Sequence, residues 1–535
     1  MTRSLSLLLL CCLWGLLYLP GLGGGELKGE EGRRILPGLE MLADGDWIVP
    51  HLNGEPYLRK PPLINWAVAG ATVVTGQRTE WSVRLPSVLA VLAATLVLAW
   101  SGGRWIGQKG GFLAGLFFLT HLAMLEKGRL IEIEAIYVSL TAIAFALWLA
   151  AWMGRETGWR LWLVPMLALG LGILAKGPFP HLLFFYGLLF LVLAAAKEKR
   201  LFLSWAHAGA LLLALALVCA WWLPYYFSTR SLGATTVMLD QLKERVGGGR
   251  LELVNIPRAL ANGLPWIVFY PLLWNRRVMD AISARNGRLA LLVRTTRWPL
   301  VIAFAGLMVI PGMLPRYTLP LYPVMALLLA LAALHAPAAW KNGWRRFNRG
   351  VGLLLLLAIP LLPWVVRPAA PAWWAWLAVA LVWGGLLAAL IREWRRPEEG
   401  PVRLALGTAL CIVAAMIPFS LVVIERISLR DHLRPVGRKV AAEVPANQFI
   451  SVIDPGYEAS LFYIDRPLRF VSSVKEVPPD ARFALVRERE WRWLEERRGH
   501  PISALPLHQE GKKPFFLLKL DAESETTPRP TSRPK

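Results

Sequence analysis

The 535-residue chain gathers its reactive side chains into a few short runs between long apolar stretches. Glu30-Glu31-Gly32-Arg33-Arg34 places two carboxylates three residues ahead of two guanidinium groups. Acids in a first helical turn feel the positive end of the backbone dipole and stay ionised. Ionised carboxylates suit a general base or a metal ligand. Taken alone, the run reads more readily as a solvated helix start with i,i+3 pairs. A second run, Asn53-Gly54-Glu55-Pro56-Tyr57-Leu58-Arg59-Lys60-Pro61-Pro62-Leu63, opens on a turn signal and ends on a lysine stiffened by two prolines. Such a lysine at a membrane surface suits gripping a phosphate, and equally suits snorkelling at a helix entrance.

Three further runs carry charge. Gly128-Arg129-Leu130-Ile131-Glu132-Ile133-Glu134 holds two acids two residues apart, a spacing that points them in different directions on a helix and gives them separate tasks. Lys176-Gly177-Pro178 follows an apolar helix, and Pro315-Arg316-Tyr317 opens one. Arg316 stands at an outer helix end where basic residues are scarce, so a phosphate ligand is its functional reading and a snorkelling cation its structural one. His51 has no partner at ligand spacing.

The elements that must position these runs are membrane helices. The chain is 56% hydrophobic and only 18% charged, with a mean hydropathy of +0.46. A soluble chain needs about 25% charged residues to cover its surface. An apolar run of about 20 residues spans a bilayer, and thirteen candidates follow: 4–22, 84–101, 110–125, 135–152, 161–175, 179–195, 201–223, 262–274, 298–313, 317–335, 350–366, 372–391 and 404–424. The first resembles a signal peptide without an A-x-A site and reads as an uncleaved helix. The eighth is short enough to be partly re-entrant. With a cytoplasmic N-terminus, the even-numbered connections carry 21 Lys and Arg against five in the short loops of the other side, as the positive-inside rule requires. That rule, with anionic lipid, accounts for a formal charge of +23 better than nucleic acid does. Cys11, Cys12, Cys219 and Cys411 all sit in apolar runs without metal-ligand spacing.

Residues 1–425 thus form a membrane domain with long outside loops at 23–83 and 224–261. Ile35, Leu36, Leu39 and Leu42 recur at helical spacing in the first, predicting a helix along the membrane surface. Residues 426–522 alternate strands (Gln448–Asp454, Leu468–Ser473, Ala481–Arg487, Phe515–Leu520) with helices (Leu429–Glu443, Glu458–Ile464, Arg489–Arg498), the pattern of a small soluble α/β domain. Residues 523–535 read as a disordered tail. The expected fold is a polytopic α-helical membrane protein with a C-terminal α/β domain.

The order of the charged runs resembles the GT-C membrane glycosyltransferases, in particular the polyprenyl-phosphate-sugar enzymes that include the aminoarabinose transferases of lipid A and the protein O-mannosyltransferases. Their first loop runs Asp-Glu-x-Arg, Met-Leu-x-x-Gly-Asp-Trp-x-x-Pro, Asn-Gly-Glu-x-Tyr and Lys-Pro-Pro-Leu. Here these stand as Glu30-Glu31-Gly32-Arg33, Met41 to Pro50, Asn53 to Tyr57, and Lys60 to Leu63. The family's first Asp is Glu30 here, and the acid often preceding its Lys is Arg59. The last 110 residues match poorly.

The resemblance implies an inverting transfer of a sugar from a polyprenyl (undecaprenyl- or dolichyl-type) phosphate to a lipid A, glycan or protein acceptor on the periplasmic face of a bacterial inner membrane. Glu30 or Glu31 would be the base, with Glu134 orienting the acceptor. Arg33, Arg59, Lys60, Lys176, Arg245, Arg316 and Tyr317 would meet the donor phosphate. Tyr57 and Glu132 would position the loop or acceptor. No cofactor is required, and Glu30 and Glu31 leave room for a divalent metal. The rivals are a lipid-linked glycan ligase or flippase, which would show charges at the bilayer midplane, and a non-catalytic envelope assembly protein.

Overall fold

The computed structural model describes residues 2–233, 236–237, 240, 252–365, 372–395, 400–424, 433–455, 458–498, 503–507 and 515–520. Glu244, Arg245 and the tail 523–535 lie outside the described residues.

Each of the thirteen expected spans falls on helical residues, and nine helices among the described residues are long and apolar enough to cross a membrane. The chain opens with α1 (Arg3–Tyr18), α2 (Gly32–Asp44), α3 (Leu63–Thr75) and α4 (Glu80–Trp105). It continues through α5 (Gln108–Thr120), α6 (Leu122–Lys127), α7 (Ile133–Met153), α8 (Trp159–Lys176), α9 (His181–Ala195) and α10 (Trp205–Thr229). Two spans depart from the expected continuous helix. The third breaks at His121, whose extended backbone separates α5 from α6. The eighth, 262–274, is mostly a 3-10 helix, Trp266–Trp274, preceded by a short helix, Asn255–Asn262. Pro265 and Pro271 lack the N–H groups that a continuous α-helix would need there. The short helix α3 was not foreseen.

The bundle centres on α4, which packs on α1, α5 and α7. Its start is fixed by a reciprocal cap: Ser82 N donates to Thr79 Oγ1 at 3.3 Å and Thr79 N donates to Ser82 Oγ at 3.1 Å. Small residues let α4 and α5 touch backbone to backbone. A Cβ at Gly111 would lie 2.3 Å from the Ala99 carbonyl oxygen.

The first long loop is ordered. Helix α2 lays Ile35, Leu36 and Met41 into the core, as its periodicity predicts. Asn53 (φ 60°) and Gly54 (φ 77°) close a two-residue hairpin between β1 (His51–Leu52) and β2 (Glu55–Pro56). The C-terminal region folds as a five-stranded sheet of β3 (Ile450–Ile453), β4 (Leu468–Val471), β5 (Phe483–Arg487), β6 (Ser503–Pro506) and β7 (Phe515–Lys519), in the order β4-β3-β5-β7-β6. Strand β3 runs parallel to β4 and β5, and β7 antiparallel to β5 and β6. Helices Leu433–Glu443 and Glu488–Arg498 occupy predicted helical stretches, whereas Ala459–Tyr463 forms only a 3-10 turn. The sheet region packs on the first loop: Ser472 Oγ donates to Glu55 Oε1 at 3.4 Å.

Candidate active site

Where the first loop, the start of α7, the end of α8 and the stretch before helix Tyr322–Leu334 meet, a pocket of about 200 Å³ opens. Ten expected site residues line it: Glu30, Arg33, Tyr57, Arg59, Lys60, Glu132, Glu134, Lys176, Arg316 and Tyr317. Arg34 and Ile133 complete the lining.

Three carboxylates hold separate positions. Glu30 lies just ahead of α2 rather than inside its first turn, and a third of its side chain is exposed. Its Oε1 is 3.2 Å from Arg33 Nη1 and its Oε2 is 3.4 Å from Arg34 Nη2. Arg34 Nη1 also donates to Tyr57 OH at 3.1 Å, tying the hairpin to α2. Glu132 precedes α7 with an extended backbone, and Glu134 stands in the helix's first turn. Their partners differ as the spacing predicts. Glu132 Oε2 is 3.1 Å from Lys127 Nζ. Glu134 Oε1 is 3.2 Å from Lys176 Nζ and 3.6 Å from Arg316 Nε. Burial pushes the Glu132 carboxyl above the ordinary carboxylate range, against the pull of Lys127. Lys176 is held over the rings of Tyr137 and Tyr317, 4.9 and 5.0 Å from their centres.

The structure sets Glu31 apart from this group. It is fully buried beneath the pocket, where its Oε1 and Oε2 accept from Arg84 Nε and Nη2, both at 2.8 Å. Lys28 N donates to Oε2 and Ile131 N to Oε1, each at 3.1 Å. Arg84 spends its other donors on the carbonyls of Leu22, Gly25 and Glu26. With every oxygen lone pair directed at a protein donor, Glu31 has no reach to a substrate and none to a metal. The sequence named Arg34 only as a helix-start partner of Glu31, whereas it pairs with Glu30, and Arg84 was not named. Arg34 was legible from its i,i+4 spacing to Glu30. Arg84 was legible as the one charge within the expected span 84–101.

Among the described residues, no group of three or more His, Cys, Asp or Glu could hold a metal ion. Each pocket carboxylate faces an Arg or Lys, and six cationic side chains line the pocket against three acids. Such a donor set suits an anion carrying more than one charge better than it suits a divalent cation.

The fold recurs among known proteins. A family model described as dolichyl-phosphate-mannose-protein mannosyltransferase matches residues 59–223. The crystal structure of ArnT from Cupriavidus metallidurans bound to undecaprenyl phosphate superposes with a TM-score of 0.71 at 17% identity, covering 98% of this chain and 99% of that one. The same protein in the apo state gives a TM-score of 0.66 at 19% identity, covering 97% of each chain. The chain shares the fold of these structures and is multi-pass in the membrane.

The similar curated proteins include undecaprenyl phosphate-alpha-4-amino-4-deoxy-L-arabinose arabinosyl transferases. The protein of Enterobacter sp. (strain 638) is 28% identical over 352 residues, which span 61% of this chain and 59% of that relative. The protein of Pseudomonas aeruginosa (strain UCBPP-PA14) is 27% identical over 416 residues, 74% of this chain and 73% of that one.

Proposed function

We propose that the chain is an inverting glycosyltransferase that takes a sugar from a polyprenyl phosphate of the undecaprenyl type and passes it to an acceptor hydroxyl at the membrane surface. The observation that carries this reading is the convergence of six cations and one accessible carboxylate, Glu30, in a single pocket. Glu30 takes the acceptor's proton as its oxygen bonds to the anomeric carbon. The bond from that carbon to the phosphate oxygen breaks, and the electron pair stays on the phosphate. One direct displacement inverts the anomeric centre.

Arg33, Arg59, Lys60, Lys176 and Arg316 meet the charge that grows on the leaving phosphate, the kind of interaction that is usually the largest catalytic contribution. Glu134 serves this step by holding Lys176 and Arg316 in place, a positioning task in addition to any contact with the acceptor. Tyr57 fixes Arg34 beside Glu30, and Glu132 holds Lys127 at the pocket's edge. The names of the relatives support a pentose, 4-amino-4-deoxy-L-arabinose, on the donor. The uneven charge of the loops supports an N-terminus in the cytoplasm of a bacterial cell, and a pocket and sheet region facing the periplasm. Residues 1–425 would be the catalytic membrane domain and 426–522 a separate unit beside it.

Reconstituted full-length protein, given the undecaprenyl phosphate aminosugar and lipid A, should add one aminopentose mass to lipid A by mass spectrometry. Addition to a glycan or protein acceptor instead would redirect the acceptor assignment. Absence of transfer from any polyprenyl phosphate sugar to any of these acceptors would overturn the proposal.

A further inference from the structure

Beneath the pocket, α7, α8 and α9 meet around two fully buried polar side chains, Tyr137 and His181. Tyr137 stands three residues beyond Glu134 on α7, and His181 opens α9. Neither lines the pocket. Tyr137 OH accepts from His181 N at 2.9 Å and lies 3.0 Å from His181 Nδ1. His181 Nε2 lies 3.1 Å from the Leu169 carbonyl of α8. A carbonyl only accepts, so in the neutral ring Nε2 carries the proton and Nδ1 accepts from the Tyr137 hydroxyl. Helix α8 makes room for this imidazole with a glycine, since a Cβ at Gly172 would stand 3.0 Å from Nε2.

The pair does more than join helices. Tyr137 is held at its backbone by α7 and at its hydroxyl by α9, and the His181 ring packs against its own at 78° with centres 4.9 Å apart. The face of the Tyr137 ring lies 4.9 Å from Lys176 Nζ. Glu134, one turn earlier on α7, takes the same ammonium at 3.2 Å. Lys176 is the last residue of α8, and the chain turns away at Gly177 with a φ of 104°. A lysine stem is flexible, so its ammonium stays in one place only where neighbours hold it. A pair that served only to tie three helices could present its ring face to any apolar group. Here the face meets a cation, which its negative quadrupole attracts.

We propose that Tyr137, held by His181, is a positioning residue for the transfer reaction, its ring face keeping Lys176 where charge grows on the leaving phosphate. This role rests on the functional reading above. The donor phosphate is esterified on two sides and carries one negative charge. It leaves esterified on one side, with a second charge. A cation already in place therefore meets more charge in the transition state than in the bound donor, and its loss falls on kcat rather than on KM.

The test uses the full chain in nanodiscs, with the undecaprenyl phosphate aminosugar as donor and lipid A as acceptor. Tyr137→Leu should lower kcat by about tenfold, the scale of one desolvated cation–ring contact, with little change in donor KM. Tyr137→Phe keeps the ring face and should recover most of that loss. Because Tyr137 acts through Lys176, the double variant Tyr137→Leu/Lys176→Met should be no slower than Lys176→Met alone. Should Tyr137→Leu fail to fold, Tyr137→Phe with and without Lys176→Met carries the same comparison. Losses that multiply in the double variant, Tyr137→Phe as slow as Tyr137→Leu, or full turnover by Lys176→Met would overturn the positioning role while leaving the transfer activity standing. A natural protein that transfers nothing would overturn the functional reading, and the positioning role with it.

Discussion

Two neighbouring carboxylates, Glu30 and Glu31, end in opposite kinds of chemistry. Around Glu30, cations outnumber acids two to one and the pocket is open. Around Glu31, Arg84 and backbone donors consume every valence, and solvent is excluded. The buried knot continues outward. Glu26 accepts from Leu433 N and Arg434 N at 2.9 Å, and Arg434 Nε donates to Glu80 Oε1 at 2.7 Å. Tyr463 OH donates to the same Glu80 oxygen at 3.0 Å. The lesson is that residue type does not separate a site from a scaffold. The excess of one sign of charge over the other does, because only an unbalanced cluster has something left to offer a ligand.

This contrast is breakable in three ways. The largest effect belongs to Glu30→Gln. Loss of a general base should lower kcat by about 10²–10⁴-fold, while thermal unfolding stays where it was. A fall in Tm together with kcat would erase the distinction. Glu31→Gln should do the reverse. Stranding a buried guanidinium costs about 3–5 kcal/mol of stability, measurable by denaturant unfolding in detergent, and the protein that remains folded should keep near-normal kcat. An inactive but equally stable Glu31→Gln would return that residue to the catalytic list.

The smallest effect tests an acid inside α2. Glu40 accepts from Asn53 N at 2.7 Å and Gly54 N at 2.9 Å, and burial lifts its carboxyl above the ordinary value despite those donors. A folded value above the unfolded one means that folding takes up a proton. The stability from this group is therefore present in acid and lost as pH rises through the lifted value. Glu40→Gln should flatten the fall of Tm with rising pH across that range. A slope identical to the natural protein's would show that Glu40 titrates like an exposed carboxyl.

Much of this architecture is legible in the chain because it rests on local patterns. Long apolar runs give the membrane helices, Asn53-Gly54 gives the hairpin, and Lys60-Pro61-Pro62 marks the edge of the pocket. What escaped depends on partners far away in sequence. Glu31 and Arg84 are 53 residues apart, and only the fold reveals that they cancel each other. Strand β6 escaped for a local reason. It is an edge strand ending in Pro506, and a proline that donates nothing to a ladder reads as a strand breaker. The break between Asn262 and Trp266 follows the same logic, since Pro265 interrupts a stretch whose composition is that of a spanning helix.

The Glu31 carboxylate has one more consequence. It grips Lys28 N on one side and Ile131 N on the other, so the peptide leading into Glu30 and the peptide leading into Glu132 and Glu134 share a common datum. Slack at that point would displace the acids on both walls together, and alignment would fail as a unit before any single side chain strayed.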